Sequence, residues 1–352
     1  MLHLWIRAEQ RKNEKRVAIT PQDVSKLINK SIKVTIEESS DRIIPTKEYH
    51  KVGCEIANQH AWPGAPQEAF ILGLKELPQN IERLEHRHIM FGHAFKGQTG
   101  GLELLKKFKA GKGILYDLEY LTDPEGRRLA AFGFWAGYAG AAVSLKAYAD
   151  QQNTKGICGP VSVFKNKEAM VNNVQNALSN VENKFPKILV VGAMGRVGSG
   201  AINLCQSLGL SVTKWDLKET KNGEPFPEIL DHELFLNCIL AKPGAPVFIR
   251  KKHLNTVRKL KVIGDISCDP DSSFNPIPIY NSATNWEAPV VRLNSVPNLD
   301  VMAIDNLPSL LPYESSVDFS RQLLPLLLNL NQSSNNVWGR AKETFLKSLN
   351  EV

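Results

Sequence analysis

The sequence predicts an α/β protein of two domains, each a parallel sheet covered by helices, with a cleft between them. Three observations predict it. From Leu2 to about Leu121 the chain alternates short apolar runs with helical patterns, and such alternation builds parallel sheets through helical crossovers. Just past the middle, KILVVGAMGRVGSGAINL places a glycine-punctuated turn between a β-branched run and a helix. Two further helical patterns close the chain. At 352 residues there is material for two ordinary domains.

Each element has its own signal. LHLWIRAE reads as a strand, and TPQDVSKLINK as a helix with Thr20 as N-cap and Pro21 at its first position. IKVTIEES is a second strand. AFILGLKEL, HIMFGHAF and GILYDLEYL are further strands, with the helix GGLELLKKFKAG between the last two. AAFGFWAGYAGAAVSL is shorter than the roughly 18–20 residues of a bilayer span and reads as a buried helix. KNKEAMVNNVQNALSNVENKFPK is polar with a helical period. Lys187 to Val191 is a strand, the helix after it runs to about Leu208, and LSVTKWD is the next strand, ending in Asp216. ELFLNCIL and KVIGDIS are two more, whereas NSATNWEAPVVRLNSVPNLDVMAIDNLPSLLP is loop-rich and proline-marked. SSVDFSRQLLPLLLNL and VWGRAKETFLKSL read as helices. The expected division is residues 1–128 with 312–352 in one domain and 129–311 in the other, inserted before the closing helices.

Gly192, Gly195 and Gly198 are spaced G-x-x-G-x-x-G, and Asp216 follows the first by roughly 20–25 residues. Strand, turn, helix, strand and terminal acid are the parts of a Rossmann-like dinucleotide site. Backbone amides and the positive helix end hold a pyrophosphate, and the carboxylate bonds the ribose. Both domains are expected to be Rossmann-like.

A formal charge of +7 and a pI near 9.0 suggest a polyanionic partner. The basic residues are scattered among acids, however, and even the densest patch, RKNEKR, contains Glu14. With no zinc-finger spacing or aromatic-interleaved basic motif, neither nucleic acid nor membrane is expected as a partner. A positive field that attracts small polycarboxylates fits the composition as well. Five scattered cysteines suggest a reducing compartment and neither a disulfide framework nor a metal site. The early charges in MLHLWIRAEQRK argue against a secretory signal, so the cytoplasm is the expected location.

Ligands of open α/β sheets bind beyond the carboxyl ends of the strands, so polar residues there are the candidates for chemistry. Lys75 and Glu76 close one apolar run; a lysine in a cleft can serve as a base, though a lone lysine at a strand exit is more often an ordinary solvated residue. His93 ends the next run, with Lys96 and Gln98 close behind; it is either a catalyst or a satisfied structural histidine. Arg127 and Arg128 suit carboxylate or phosphate clamping, or form a charged loop. Glu119 and Arg16 also sit at strands or strand edges. Without metal-ligand spacing, a Ser/His/Asp order or a P-loop, the remaining chemistry is nicotinamide hydride transfer.

RAE…RVAITP, ILGLKELP, FGHAFK-x-Q, LYDLEYL…GRRLAAFGF, VVGAMGRVGSGAI, KWDLKET, NCILAKP, DISCDP…NPIPIY and IDNLPSLLP, in this order, resemble the NAD-dependent, lysine-forming saccharopine dehydrogenases of the α-aminoadipate route. The first-domain motifs are also similar to those of alanine dehydrogenases and transhydrogenases. The resemblance implies oxidation of the secondary amine that joins lysine to glutarate, with hydride passing to NAD, and hydrolysis to L-lysine and 2-oxoglutarate. It implies Lys75 as the base for the amine proton and His93 as the acid-base group for water. Arg16, Lys75, Gln98, Arg128, Phe132, Ser267, Cys268 and Asp269 are implied as substrate contacts. Arg127, Gly192, Gly195, Arg196, Val197, Gly198, Asp216, Thr220, Ile266, Ile304, Asp305, Asn306 and Leu307 are implied as NAD contacts. Glu76 and Glu119 are implied to tune the catalytic pair. Three carboxylates on saccharopine call for several cations, and Phe132 can cover its apolar linker. The partners expected are small molecules only, and the assembly a monomer. Fungal members can carry a cysteine at the Val197 position that pairs with the match of Cys238; this chain cannot form that bond.

The rival enzyme reading is an alanine dehydrogenase-like or other opine-type dehydrogenase, which shares the lysine and histidine but needs fewer cationic clamps. The rival of another class is a non-catalytic NAD(H)-binding regulator.

Overall fold

In the computed structural model the alternation of apolar runs and helical periods becomes two six-stranded sheets. The structure describes residues 1–95, 100–153, 156–182, 184–240, 242–295, 297–331 and 336–352. The chain divides into a first unit of Met1–Ala131 with Pro312–Val352 and a second of Phe132–Leu311.

The first unit holds β1 (His3–Ile6), α1 (Pro21–Ile28), β2 (Lys33–Glu37), α2 (Thr46–Lys51), β3 (Glu55–Ala57), β4 (Phe70–Leu72), β5 (Arg87–Met90), α3 (Gly101–Gly111) and β6 (Ile114–Asp117). All of its strand pairs are parallel, in the order β3-β2-β1-β4-β5-β6. The central strand β4 is buried throughout, as helices on both sheet faces require. Thr20 caps α1 by accepting from the Asp23 amide, and Pro21 fills the position where no amide is needed. α2 and the edge strand β3 carry no clear apolar period, and the sequence reading passes over them.

The second unit begins with α4 (Gly133–Gln152) and α5 (Lys167–Ser179). It continues with β7 (Ile188–Val191), α6 (Arg196–Ser207), β8 (Val212–Trp215), α7 (Leu217–Thr220), β9 (Leu234–Asn237), β10 (Val262–Asp265), β11 (Val290–Ser295) and β12 (Asn298–Met302). The order is β11-β12-β10-β9-β7-β8. One expectation is corrected here. This sheet is not wholly parallel, because β11 and β12 form an antiparallel hairpin inside the segment read as loop. Proline and asparagine mask the strands in sequence, and the pair is held by Arg292, which grips Asp300 at 2.7 and 2.8 Å.

From Gly137 to Leu145 α4 is almost wholly apolar because every residue there is buried. A Cβ at Gly137 would strike the Val197 carbonyl, and one at Gly200 the Phe134 carbonyl. The two helices therefore touch backbone to backbone, which explains the small residues of both.

The closing helices α8 (Pro312–Leu327) and α9 (Val337–Leu349) return to the first unit. Ser316 and Ser320 of α8 each accept an amide, from Val17 and Thr20, at 2.9 Å. Phe345 and Trp338 of α9 meet Phe108 and Tyr116 edge-on.

Candidate active site

In the first unit the polar candidates lie just beyond the carboxyl ends of β4, β5 and β6. Lys75 is three residues past the last residue of β4, so it stands on the connecting segment and not on the strand. The Phe91 amide donates to the Leu74 carbonyl at 3.1 Å, which ties the Lys75 segment to the one that follows β5. That second segment carries His93 in the left-handed region, at φ +49°. A non-glycine residue there costs about 1–3 kcal/mol and persists only when its surroundings fix it. Asp117, fully buried at the end of β6, does much of the fixing. Its Oδ2 accepts from the Gly92 amide at 3.1 Å, and its Oδ1 from the Glu119 amide at 2.9 Å. One carboxylate thus holds the His93 segment against the turn Leu118–Tyr120. The His93 ring stacks on Phe91, with centroids 6.2 Å apart.

Glu119 Oε2 lies 3.9 Å from His93 Nδ1, and Glu119 Oε1 accepts from Arg128 Nη2. Burial pushes the His93 pKa below the usual 6.5, and the charges of Lys75 and Arg128 push the same way, against a smaller pull from Glu76. The imidazole is therefore neutral at neutral pH and can accept a proton. Arg16 is buried and binds Glu14 through Nε at 2.8 Å and Nη2 at 2.7 Å. Burial favours a protonated Glu14, but the charge and hydrogen bonds of Arg16, helped by Lys75, outweigh it and hold the carboxyl at about 2. Lys75, His93, Arg128 and Glu119 are thus one electrostatic cluster, with Glu14 and Arg16 on its Lys75 side.

Other predicted residues sit further out. Arg127 is largely exposed and reaches back to Asp123 at 2.7 Å and Glu125 at 3.3 Å. Glu76 is exposed too, 3.7 Å from Arg11 Nε. A cavity of about 640 Å³ opens among Arg11, Glu76, Phe91, His93 and Lys107. Gln98 lies outside the described residues.

The second unit gathers its candidates at the carboxyl edge of its own sheet. Gly192 has φ +82°, a conformation that strains other residues. A Cβ on Gly198 would run into the Gly192 carbonyl and come within 2.7 Å of Ala193 Cα. Gly195 is the N-cap of α6 and supplies no side-chain cap, while Arg196 and Val197 open the helix. Such a turn is a cradle that only glycines leave open to a pyrophosphate at a helix N-terminus. Asp216 stands at the end of β8. Its Oδ2 accepts from the Met194 amide and its Oδ1 from the Leu217 amide, both at 2.9 Å, so the acid and the glycine turn are joined directly. Thr220 Oγ1 donates to the Asp216 carbonyl at 3.0 Å. These residues fit a dinucleotide.

Ile266, Ser267, Cys268 and Asp269 follow β10. Ile266 is buried against Gly140 of α4. Cys268 lies 3.4 Å from the Ala303 carbonyl, and burial, with nearby acids, pushes its thiol up to about 12, so it is no nucleophile. Ile304, Asp305, Asn306 and Leu307 follow β12; Asn306 Oδ1 accepts from the Trp286 indole at 3.0 Å, and Ile304 and Leu307 are buried. Phe132 precedes α4 as its N-cap.

The alanine dehydrogenase/PNT N-terminal domain family matches residues 5–139. The chain is 43% identical to a Schizosaccharomyces pombe protein named saccharopine dehydrogenase (NAD(+), L-lysine-forming), over 97% of each chain. A Candida albicans protein of the same name is also 43% identical, over 98% of this chain and 96% of that one. The chain belongs to the lysine-forming saccharopine dehydrogenase family. Among solved structures, an L-alanine dehydrogenase shares the fold, with a TM-score of 0.71 at 16% identity over 99% of this chain and 94% of that one.

Two residues of the candidate site escape the sequence reading. Glu14 enters it only as a charge that dilutes a basic patch, yet it is buried and paired with Arg16. Asp117 sits unremarked in YDLEY; an acid closing an apolar run just before another strand-end candidate is the signal that points to it.

Proposed function

We propose that the chain catalyses the reversible, NAD-dependent oxidative cleavage of saccharopine to L-lysine and 2-oxoglutarate, the last step of lysine biosynthesis through α-aminoadipate. The observation that carries this is 43% identity along almost the whole chain to proteins named for that reaction. The glycine turn would hold the pyrophosphate of NAD and Asp216 its ribose, and the bound cofactor would supply the hydride acceptor. Lys75 takes the proton of the secondary amine as its carbon–nitrogen bond is oxidised. His93, kept neutral chiefly by its burial, takes a proton from the water that attacks the carbon and returns one to the departing lysine nitrogen. Arg128 and Arg16 provide guanidinium charge for the substrate carboxylates, and Glu119 holds Arg128 and His93 in relation to each other.

No helix among the described residues is long and apolar enough to cross a membrane. The proposed setting is the cytoplasm, with the enzyme acting as a monomer on small molecules. The test is NADH consumption with 2-oxoglutarate against a panel of amines. Lysine-dependent oxidation is expected. Oxidation with pyruvate and ammonia but not with lysine would make the enzyme an alanine dehydrogenase instead, and tight NADH binding without turnover would make it a regulator.

A further inference from the structure

Lys75 stands three residues past β4, one residue beyond the last bond to the β5 side, from the Phe91 amide to the Leu74 carbonyl. Its peptide is nonetheless fully held. The Lys75 amide donates to Glu9 Oε2 at 3.0 Å, and the Leu74 amide to Glu9 Oε1 at 2.6 Å. The Lys75 carbonyl accepts from Arg7 Nη2. Arg7 and Glu9 are themselves paired, Nη1 to Oε2 at 3.3 Å, with side chains 1% and 10% exposed. One buried ion pair thus grips both the N–H and the C=O of a single residue. Gly73 makes room for it, since a Cβ there would collide with the Arg7 guanidinium.

The grip is anchored in its turn. Between Arg7 and Glu9, the Ala8 amide donates to Glu37 Oε2 at 2.8 Å. Glu37 is fully buried, and its two oxygens also accept from the amides of His60 and Trp62 and from the Trp5 indole. A carboxylate held by four N–H donors has no freedom to turn. The run RAE that follows β1 is therefore a rigid bracket built around the backbone segment just past the end of β4.

We propose that Glu9, with Arg7, is the positioning residue of Lys75: its carboxylate fixes the peptide that carries the base and takes no part in proton transfer. This rests on the reading of Lys75 as the base. A buried ion pair adds little to stability over an apolar pair of the same size. A displacement of about 1 Å at a reacting group, in contrast, can cost 10²-fold in rate.

The test is a double-mutant cycle on the full chain, which separates an effect exerted through Lys75 from general damage. Glu9→Gln keeps the shape but turns an amide donor towards one of the two N–H groups. It should lower kcat by roughly 10²-fold and leave NADH affinity, read by fluorescence titration, unchanged. In a Lys75→Met background the same change should cost less than about twofold, because there is no base left to misplace. An equal loss in both backgrounds, or a near-wild-type kcat for Glu9→Gln alone, would overturn the proposal. If Glu9→Gln does not fold, Glu9→Asp replaces it; that side chain keeps the charge but is too short to hold both amides. A wild-type kcat for Lys75→Met by itself sinks the assignment of the base, and the bracket's role with it, whatever Glu9 does.

Discussion

The carboxyl edges of the two sheets are built from different materials. In the first unit the groups that matter are charged side chains held by other side chains: Glu119 between Arg128 and His93, Asp117 beneath them, Glu14 on Arg16. In the second they are backbone groups, shaped by Gly192 and Gly198 and tied together by one carboxylate, Asp216. Proton transfer needs a titratable atom at a fixed point, which only a braced side chain supplies. Holding a diphosphate needs a row of amides and an absence of Cβ atoms. On the proposed function, the fold thus specialises one sheet for chemistry and the other for grip.

That contrast breaks most easily in the first unit. Lys75→Met and His93→Gln should each lower kcat by roughly 10²–10⁴-fold, as loss of a positioned proton-transfer group does, with NADH affinity little changed. A variant that kept wild-type turnover would make its residue structural only. Gly198→Ala should show the opposite pattern. Its methyl group must push against the Gly192 carbonyl, so NADH affinity should fall about tenfold or more, equivalent to at least about 1.4 kcal/mol. Turnover at saturating NADH should stay close to wild type. Loss of turnover without loss of affinity would erase the distinction between the units.

The smallest expected effect sharpens the comparison from outside the chemistry. His88, in the middle of β5, is fully buried between Trp62 and Phe108. Neither of its ring nitrogens has a hydrogen-bond partner among the described residues. Burial, and then the charges of Arg7 and His86, hold its pKa well below 6.5. The unfolded chain therefore binds a proton there that the folded chain refuses. The stability this residue permits is complete above pH 6.5 and is lost as the pH falls below it, by up to about 1.4 kcal/mol per pH unit. Thermal melts of wild type and His88→Phe between pH 7.5 and 5.5 should diverge, with the variant losing less. Parallel curves would mean that His88 is protonated in the fold after all.

Much of this was legible because its signals are local. The glycine turn, the strand before it and Asp216 lie within one short stretch, so a single pattern describes them. Lys75, His93 and Glu119 could be found because each follows an apolar run. Other features depend on partners distant in sequence. Asp117 gains its meaning from Gly92, on a neighbouring strand, and Glu9 from Lys75. Arg16 and Glu14 are near neighbours in a run of charges, and nothing in that run distinguishes a buried pair from a solvated patch. The hairpin of β11 and β12 is hidden by the proline and asparagines that shape it.

The contact between α4 and α6 has a consequence for how the sequence can change. In most packed interfaces a larger residue on one side can be accommodated by a smaller one opposite, and cores drift through such exchanges. Gly137 and Gly200 face main-chain carbonyls, which no mutation can shrink. A methyl group at either position would meet backbone first, where no smaller side chain can make room. The start of α6, on which the glycine turn depends, is therefore set by a surface that cannot be renegotiated one residue at a time. Relatives that differ at either glycine should differ in the placement of the helix as well.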